Sequence, residues 1–150
     1  MIRPARPDEA QLLSDLALRS KAYWPYPPAF IEACRADLTV TPAIIIENPV
    51  FVSEDTPGHV AGFYALAPKT EGVADLAFLF VDPDAIGGGH GRALFEHATH
   101  TARALGYREL HVDSDPYAEP FYLRMGTERI GEVESTVVPG RMLPLLHYPL

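Results

Sequence analysis

Apolar positions in this chain follow two periods, and the switching between them predicts its elements. Met1 to Ala5 reads as a short strand. From Asp8 onward, Leu12, Leu13, Leu16 and Ala17 recur at the three-and-four spacing of one helix face. Asp8, with Gln11 three residues on, predicts a capping box in which the carboxylate accepts an orphan amide. Tyr23-Trp24-Pro25-Tyr26-Pro27-Pro28 ends the helix, because proline lacks a donor and restricts its predecessor. Phe30 to Leu38 predicts a second short helix. Ile44-Ile45-Ile46, Val50 to Ser53 and His59 to Ala67 predict strands, the last two joined by a Thr56-Pro57-Gly58 turn.

Val73 to Val81 becomes apolar on both faces toward its end, the pattern of a strand in the middle of a sheet. It stops at Asp82-Pro83-Asp84. A helix to about Leu105 follows, with Leu94, Ala98, Thr101 or Ala102 and Leu105 on its buried face. Gly106 stands where a left-handed cap belongs. Leu110 to Val112 reads as a strand and Glu119 to Met125 as a short helix ended by Gly126. Strands around Ile130 and from Leu143 to Tyr148 close the chain. Hairpins followed by strand–helix alternation predict a mixed α/β sheet.

Composition bounds the class. At 150 residues, with no repeat or linker, the chain predicts one domain over 1–150. A single cysteine, Cys34, excludes a disulfide framework. No apolar run approaches the ~20 residues of a membrane span. Met1 to Asp8 carries no apolar targeting core, so the expected compartment is the cytoplasm. A net charge of -8 argues against a protein that coats nucleic acid.

The most informative stretch is Ile86-Gly87-Gly88-Gly89-His90-Gly91-Arg92, between a buried strand and an amphipathic helix. The first amides of a helix lack internal partners and carry about half a positive charge. Glycines let successive N–H groups point at one oxyanion cluster. The lysine of a nucleotide-triphosphate loop is missing, since Arg92-Ala93 follows Gly91. The glycine spacing also misfits a dinucleotide fold. The plainer alternative is a tight turn that needs glycine.

Phe80-Val81-Asp82-Pro83 followed by Gly89-His90-Gly91-Arg92-Ala93-Leu94 resembles the pyrophosphate motif of the GNAT superfamily, the acetyl-CoA-dependent N-acyltransferases. Ala118-Glu119-Pro120-Phe121-Tyr122-Leu123-Arg124-Met125-Gly126 resembles that superfamily's Ala-x-x-Phe-Tyr-x-x-x-Gly helix. The resemblance implies a mixed, mostly antiparallel sheet of six or seven strands with about four helices. The sheet would be splayed between the strand ending at Val81 and the strand at Leu110–Val112. It implies acetyl-CoA as co-substrate, without a metal, contacted by Leu79, Phe80, Val81, Gly87, Gly88, Gly89, His90, Gly91, Arg92, Asp115 and Phe121. The free amides would be those of Gly88, Gly89, Gly91 and Arg92. One departure is Ile86, where the superfamily usually carries Gln or Arg.

The implied activity is N-acetyl transfer to an amine of a small molecule or peptide. The alternative is a non-catalytic acyl-CoA-binding domain of the same fold. Transfer needs a base for the ammonium, a donor for the oxyanion and an acid for the thiolate. The resemblance assigns the acid to Tyr122, the base to Asp75 and the oxyanion donor to a backbone N–H near Leu79. Asp113 and Asp115 are alternative bases, and Asp115 alternatively caps the helix after it. Tyr23, Trp24 and Tyr26 would shape the acceptor pocket, or else pack a proline-rich loop onto the sheet.

His90, His97, His100 and His111 follow no metal-ligand spacing, and His97 and His100 read as surface residues on a helix face. Cys34, beside Ala33, reads as a buried, inert thiol. Arg141 reaches either an acceptor, a partner chain or water. The apolar run Met142 to Leu150 either pairs across a homodimer or closes the sheet.

Overall fold

The computed structural model describes residues 1–150. Its strands are β1 (Ile2–Pro4), β2 (Val50–Thr56), β3 (His59–Thr70), β4 (Val73–Val81), β5 (Glu109–Asp113), β6 (Glu128–Glu134) and β7 (Met142–Pro149). The helices are α1 (Ala10–Ala22), α2 (Pro28–Ala33), α3 (Pro42–Glu47), α4 (His90–Ala104) and α5 (Glu119–Arg124). One sheet runs in the order β1-β2-β3-β4-β5-β7-β6. Every pair is antiparallel except β4 with β5. The expected mixed sheet is present, with five helices. No helix is long and apolar enough to cross a membrane.

Strand alternation feeds two cores. On one face Phe63, Ala65 and Phe78 meet Leu13, Leu16 and Ala17 of α1. On the other, Tyr64, Leu66, Ala74 and Leu76 meet Leu94, Phe95, Ala98 and Ala102 of α4, with Tyr122 of α5. Burying each large side chain stabilises by about 1.5–3 kcal/mol.

β4 changes face midway. Leu66 pairs with Leu76 and Ala65 with Phe78, leaving Ala77 as an extra residue. This bulge sends Leu76 into the α4 core and Phe78, two residues on, into the α1 core. Pairing with β5 stops just before it, covering only Val73–Asp75 against Glu109–His111. β5 continues to pair with β7 as far as Asp113. The rest of β4 runs without a parallel neighbour, and that splay opens the cleft.

Several expectations are corrected. Ile44-Ile45-Ile46 lies in α3, not a strand. The Thr41 hydroxyl accepts the Ile44 amide at 3.1 Å, and Pro42 suits a first helical turn. This local cap outweighs the β-branched preference for strands. The capping box belongs to Glu9, whose carboxylate accepts the Arg6 amide at 2.8 Å and two Arg3 bonds at 2.9 Å. Gln11 bonds Asp15 instead. Leu12 and Leu105 are exposed, and Phe95, which the periodicity left out of the buried face of α4, is buried. α2 is shorter than predicted, ending at Ala33. Gly106 and Gly126 do adopt left-handed caps. Met142 to Pro149 lies inside the sheet between β5 and β6, with Leu146 fully buried.

Candidate active site

The splay opens a cleft of about 1000 Å³. Its walls are the unpaired half of β4, the glycine loop, the end of β5, α5 and the α1–α2 loop. Leu79, Phe80 and Val81 line it, as does the bulged Ala77. Alternate amides of an unpaired strand edge have no ladder acceptor and face the opening.

The glycine loop is held from below. Asp82, buried at the end of β4, accepts the Asp84 amide at 3.0 Å and pairs with Arg19 of α1 at 2.8 Å. Gly89, at φ +81°, precedes α4 in a conformation that side chains rarely adopt. The amides of Gly89, His90, Gly91 and Arg92 find no acceptor within the protein. The Gly88 amide does, donating to Ala85 at 3.2 Å, so the expected four-amide set changes by one. His90 contributes backbone only: its Nδ1 lies 2.8 Å from the buried Ser53 hydroxyl, beneath the loop.

Gly91 is needed for close approach. A Cβ there would sit 3.1 and 3.2 Å from ring atoms of Phe121, which packs α5 against the start of α4. These features suit a pyrophosphate: consecutive free amides at a helix start, with Arg92 beside them and Arg124 on the facing helix. Ile86 is exposed at the rim and adds no charge.

Tyr122 is 7% exposed and packs edge-on against Phe95 and Phe121. Thr127 Oγ1 is the single fully buried side-chain polar atom without a partner. The Tyr122 hydroxyl, which also makes no hydrogen bond, therefore opens to the cleft that the residue lines. Burial pushes its pKa well above the usual phenol value, and the charges of Asp115 and Asp75 push the same way.

Asp75 is not on the cleft wall. It sits in register with His111, on the sheet face opposite Ala74 and Leu76. Asp113, two residues beyond His111, shares that face and does line the cleft. Burial raises the Asp75 carboxyl, and the neighbouring Asp113 charge raises it further. Neither carboxylate is engaged in an ion pair or hydrogen bond, while Lys69 bonds His111 at 2.9 Å.

Asp115 is committed elsewhere. It takes bonds from Lys21 at 2.5 Å, the Tyr26 hydroxyl at 2.8 Å and the Tyr117 amide at 2.9 Å. Lys21 and Tyr26 share Oδ2 and the Tyr117 amide takes Oδ1, so the carboxylate is held as a strut while the residue lines the cleft. It closes the turn Asp115–Ala118 that leads into α5 instead of capping that helix. Tyr26 lies behind the wall, its hydroxyl accepting from Arg141 at 2.6 Å. Tyr23 and Trp24 do line the cleft, and Trp24 stacks on Tyr117 at 5.4 Å.

The chain matches the family model described as the acetyltransferase (GNAT) family over residues 16–127, more than half its length. This protein belongs to the GNAT acetyltransferase family. Solved structures share the fold. A GCN5-related N-acetyltransferase from Rhodopseudomonas palustris is 20% identical, with TM-score 0.80, over 100% of this chain and 95% of that one. An N-acetyltransferase, PaiA, from Thermoplasma acidophilum, in complex with coenzyme A, is 15% identical, with TM-score 0.81, over 100% and 98%. A phosphinothricin acetyltransferase from Sinorhizobium meliloti, in complex with acetyl-CoA, is 19% identical, with TM-score 0.72, over 100% and 88%. No curated protein matches the chain in sequence.

Around this GNAT cleft, sequence reasoning overlooked Lys21 and Tyr117, whose roles depend on partners more than 90 positions away. It also read two histidines as exposed that are not both so. His97 faces the fully buried Tyr64, whose hydroxyl lies 2.7 Å from Nδ1, and only His100 is exposed. Cys34 is buried, and that burial pushes its thiol pKa up.

Proposed function

We propose that residues 1–150 act as one acyltransferase domain that moves an acetyl group from acetyl-CoA to an amine by direct attack in a ternary complex. The observation that carries this reading is the Tyr122 hydroxyl: deeply set, unpartnered, and open to a cleft that also presents free amides for phosphate. Acetyl-CoA supplies a thioester whose C–S bond breaks as the amine nitrogen forms the new C–N bond. Tyr122 donates its hydroxyl hydrogen to the departing sulfur. Its raised pKa keeps it protonated at any ordinary pH, so it shares that hydrogen with the developing thiolate as a hydrogen-bond donor rather than surrendering it as a strong acid. A backbone N–H of the unpaired β4 segment near Leu79 holds the developing oxyanion. Asp75 accepts the ammonium proton through water, with Asp113 between it and the cleft, and the shared face of these two residues supports that route.

Ile86, where a cation would otherwise reach the phosphates, favours a second reading as an acyl-CoA-binding domain without turnover. Calorimetric titration with acetyl-CoA, followed by an amine panel monitored through released CoA thiol, separates the two. Binding with amine-dependent thiol release supports transfer. Binding without release by any amine overturns transfer in favour of the second reading, and no binding at millimolar cofactor removes both.

A further inference from the structure

The glycine loop is fastened to the sheet at both of its ends. At the first, the Asp82 amide donates to the Ala61 carbonyl at 2.7 Å. Ala61 is the extra residue of a register shift, lying between the pairs Ser53–Gly62 and Glu54–Val60. At the second, His90 Nδ1 lies 2.8 Å from the hydroxyl of Ser53, at that same shift. One irregularity of the β2–β3 hairpin therefore receives both ends of the loop.

Between these ends little holds the chain. Gly87 and Gly89 have φ of +91° and +81°, and of the three glycine amides only that of Gly88 finds an acceptor within the protein. Gly89 opens α4 without a side-chain cap. A run of glycines loses more conformational freedom on ordering than any other chain. Its amides bind an anion well only if the protein has already fixed their directions. The His90 ring supplies that support. Ser53 is 3% exposed, and His90 is the single partner of its hydroxyl. On the other side the ring lies against Gly88, where a Cβ would sit 3.1 Å from Cδ2 and 3.4 Å from Nε2. The imidazole is thus wedged between β2 and the loop, and glycine at position 88 lets the loop rest on it.

We propose that Ser53 and His90 are a positioning pair for coenzyme binding. The buried hydroxyl fixes the imidazole, and the imidazole holds Gly88 and the first turn of α4 so that the amides of Gly89 to Arg92 point together at a pyrophosphate. Both side chains act through the loop rather than on the coenzyme. This rests on the proposed reading of the cleft as an acetyl-CoA site and adds to it two residues, one of them from a strand outside the cleft wall.

The test compares the parent with Ser53→Ala, His90→Phe and the double variant, by calorimetric titration with CoA and by amide hydrogen exchange of the free proteins. Each single change should weaken CoA binding by about three- to tenfold, the range of one hydrogen bond. The double variant should lose no more than the weaker-binding single, because either change breaks the same bond. Exchange should quicken at the Gly88 and Ala93 amides, which close the loop and the first turn of α4, while β3 and the middle of α4 keep the parent rate. A loss below about threefold in either single variant overturns the proposal, as do additive losses in the double variant. Weakened binding with unchanged exchange at Gly88 and Ala93 overturns it, and so does exchange quickened throughout the core, which makes the pair a general structural contact. If the parent itself fails to bind CoA at millimolar concentration, the acetyl-CoA reading falls and this proposal with it. If the parent binds and both single variants bind equally well, this proposal falls alone.

Discussion

Replacing Tyr122 by Phe removes one oxygen and keeps the ring that packs Phe95 and Phe121. Because that oxygen makes no hydrogen bond, its loss breaks none, and a mostly desolvated, unpaired hydroxyl is a small cost to the fold. Stability should stay level or rise by up to about 1 kcal/mol, which for a chain of this size is about 2–4 °C in Tm. Activity should move the other way. Loss of a positioned general acid lowers turnover by ~10²–10⁴. At about 1.36 kcal/mol per tenfold, that is roughly 3–5 kcal/mol of barrier. The loss should fall on kcat rather than KM, since the donor acts only as charge develops on sulfur. Coenzyme affinity should hold, because the phosphate amides belong to a different element. Steady-state thiol release, a thermal melt and a CoA titration on the same variant test all three. A kcat within about threefold of the parent refutes the acid role. So does a loss of activity that tracks a fall in Tm, which makes the hydroxyl a structural group.

Asp75→Asn should stabilise the protein at pH 7. The folded carboxyl holds its proton to a higher pH than the unfolded one, so wild-type stability falls as pH rises through that window. The gain should vanish below about pH 4, where both states are protonated; thermal melts at pH 3.5 and 7 read it, and a variant less stable at pH 7 defeats the argument. The same variant should lose most of its turnover near neutrality if Asp75 takes the ammonium proton. Gly91→Ala should leave Tm level or lower it slightly, since the helix preference of alanine is set against crowding of the Phe121 ring. It should weaken coenzyme A binding about tenfold, because a Cβ 3.1 Å from the Phe121 ring displaces the amides that meet phosphate. Calorimetry checks this, and unchanged affinity would show the contact to be slack.

The alternation of apolar residues determined that β4 is central, that helices cover the sheet and that a glycine turn opens α4. Gly106 and Gly126 marked helix ends correctly because a left-handed cap is a local demand of the backbone. The family was legible for the same reason: its motif is a run of consecutive residues whose amides act together. Tertiary structure decided the rest. Ile44 to Ile46 carries a strand-like pattern, and a threonine cap made it helix. Asp75 and Asp113 share a face because β4 and β5 pair in parallel register as far as His111, and no local pattern encodes that register. The bulge at Ala77 turns the strand over where the pairing ends, and sequence periodicity shows only a strand apolar on both faces. Asp115 resembles a cofactor residue by its position before α5, and only the fold shows that Lys21 and Tyr26, from the far end of the chain, share its Oδ2 while the residue lines the cleft. A charge is available for chemistry only when nothing else neutralises it, and that balance is struck between segments distant in sequence.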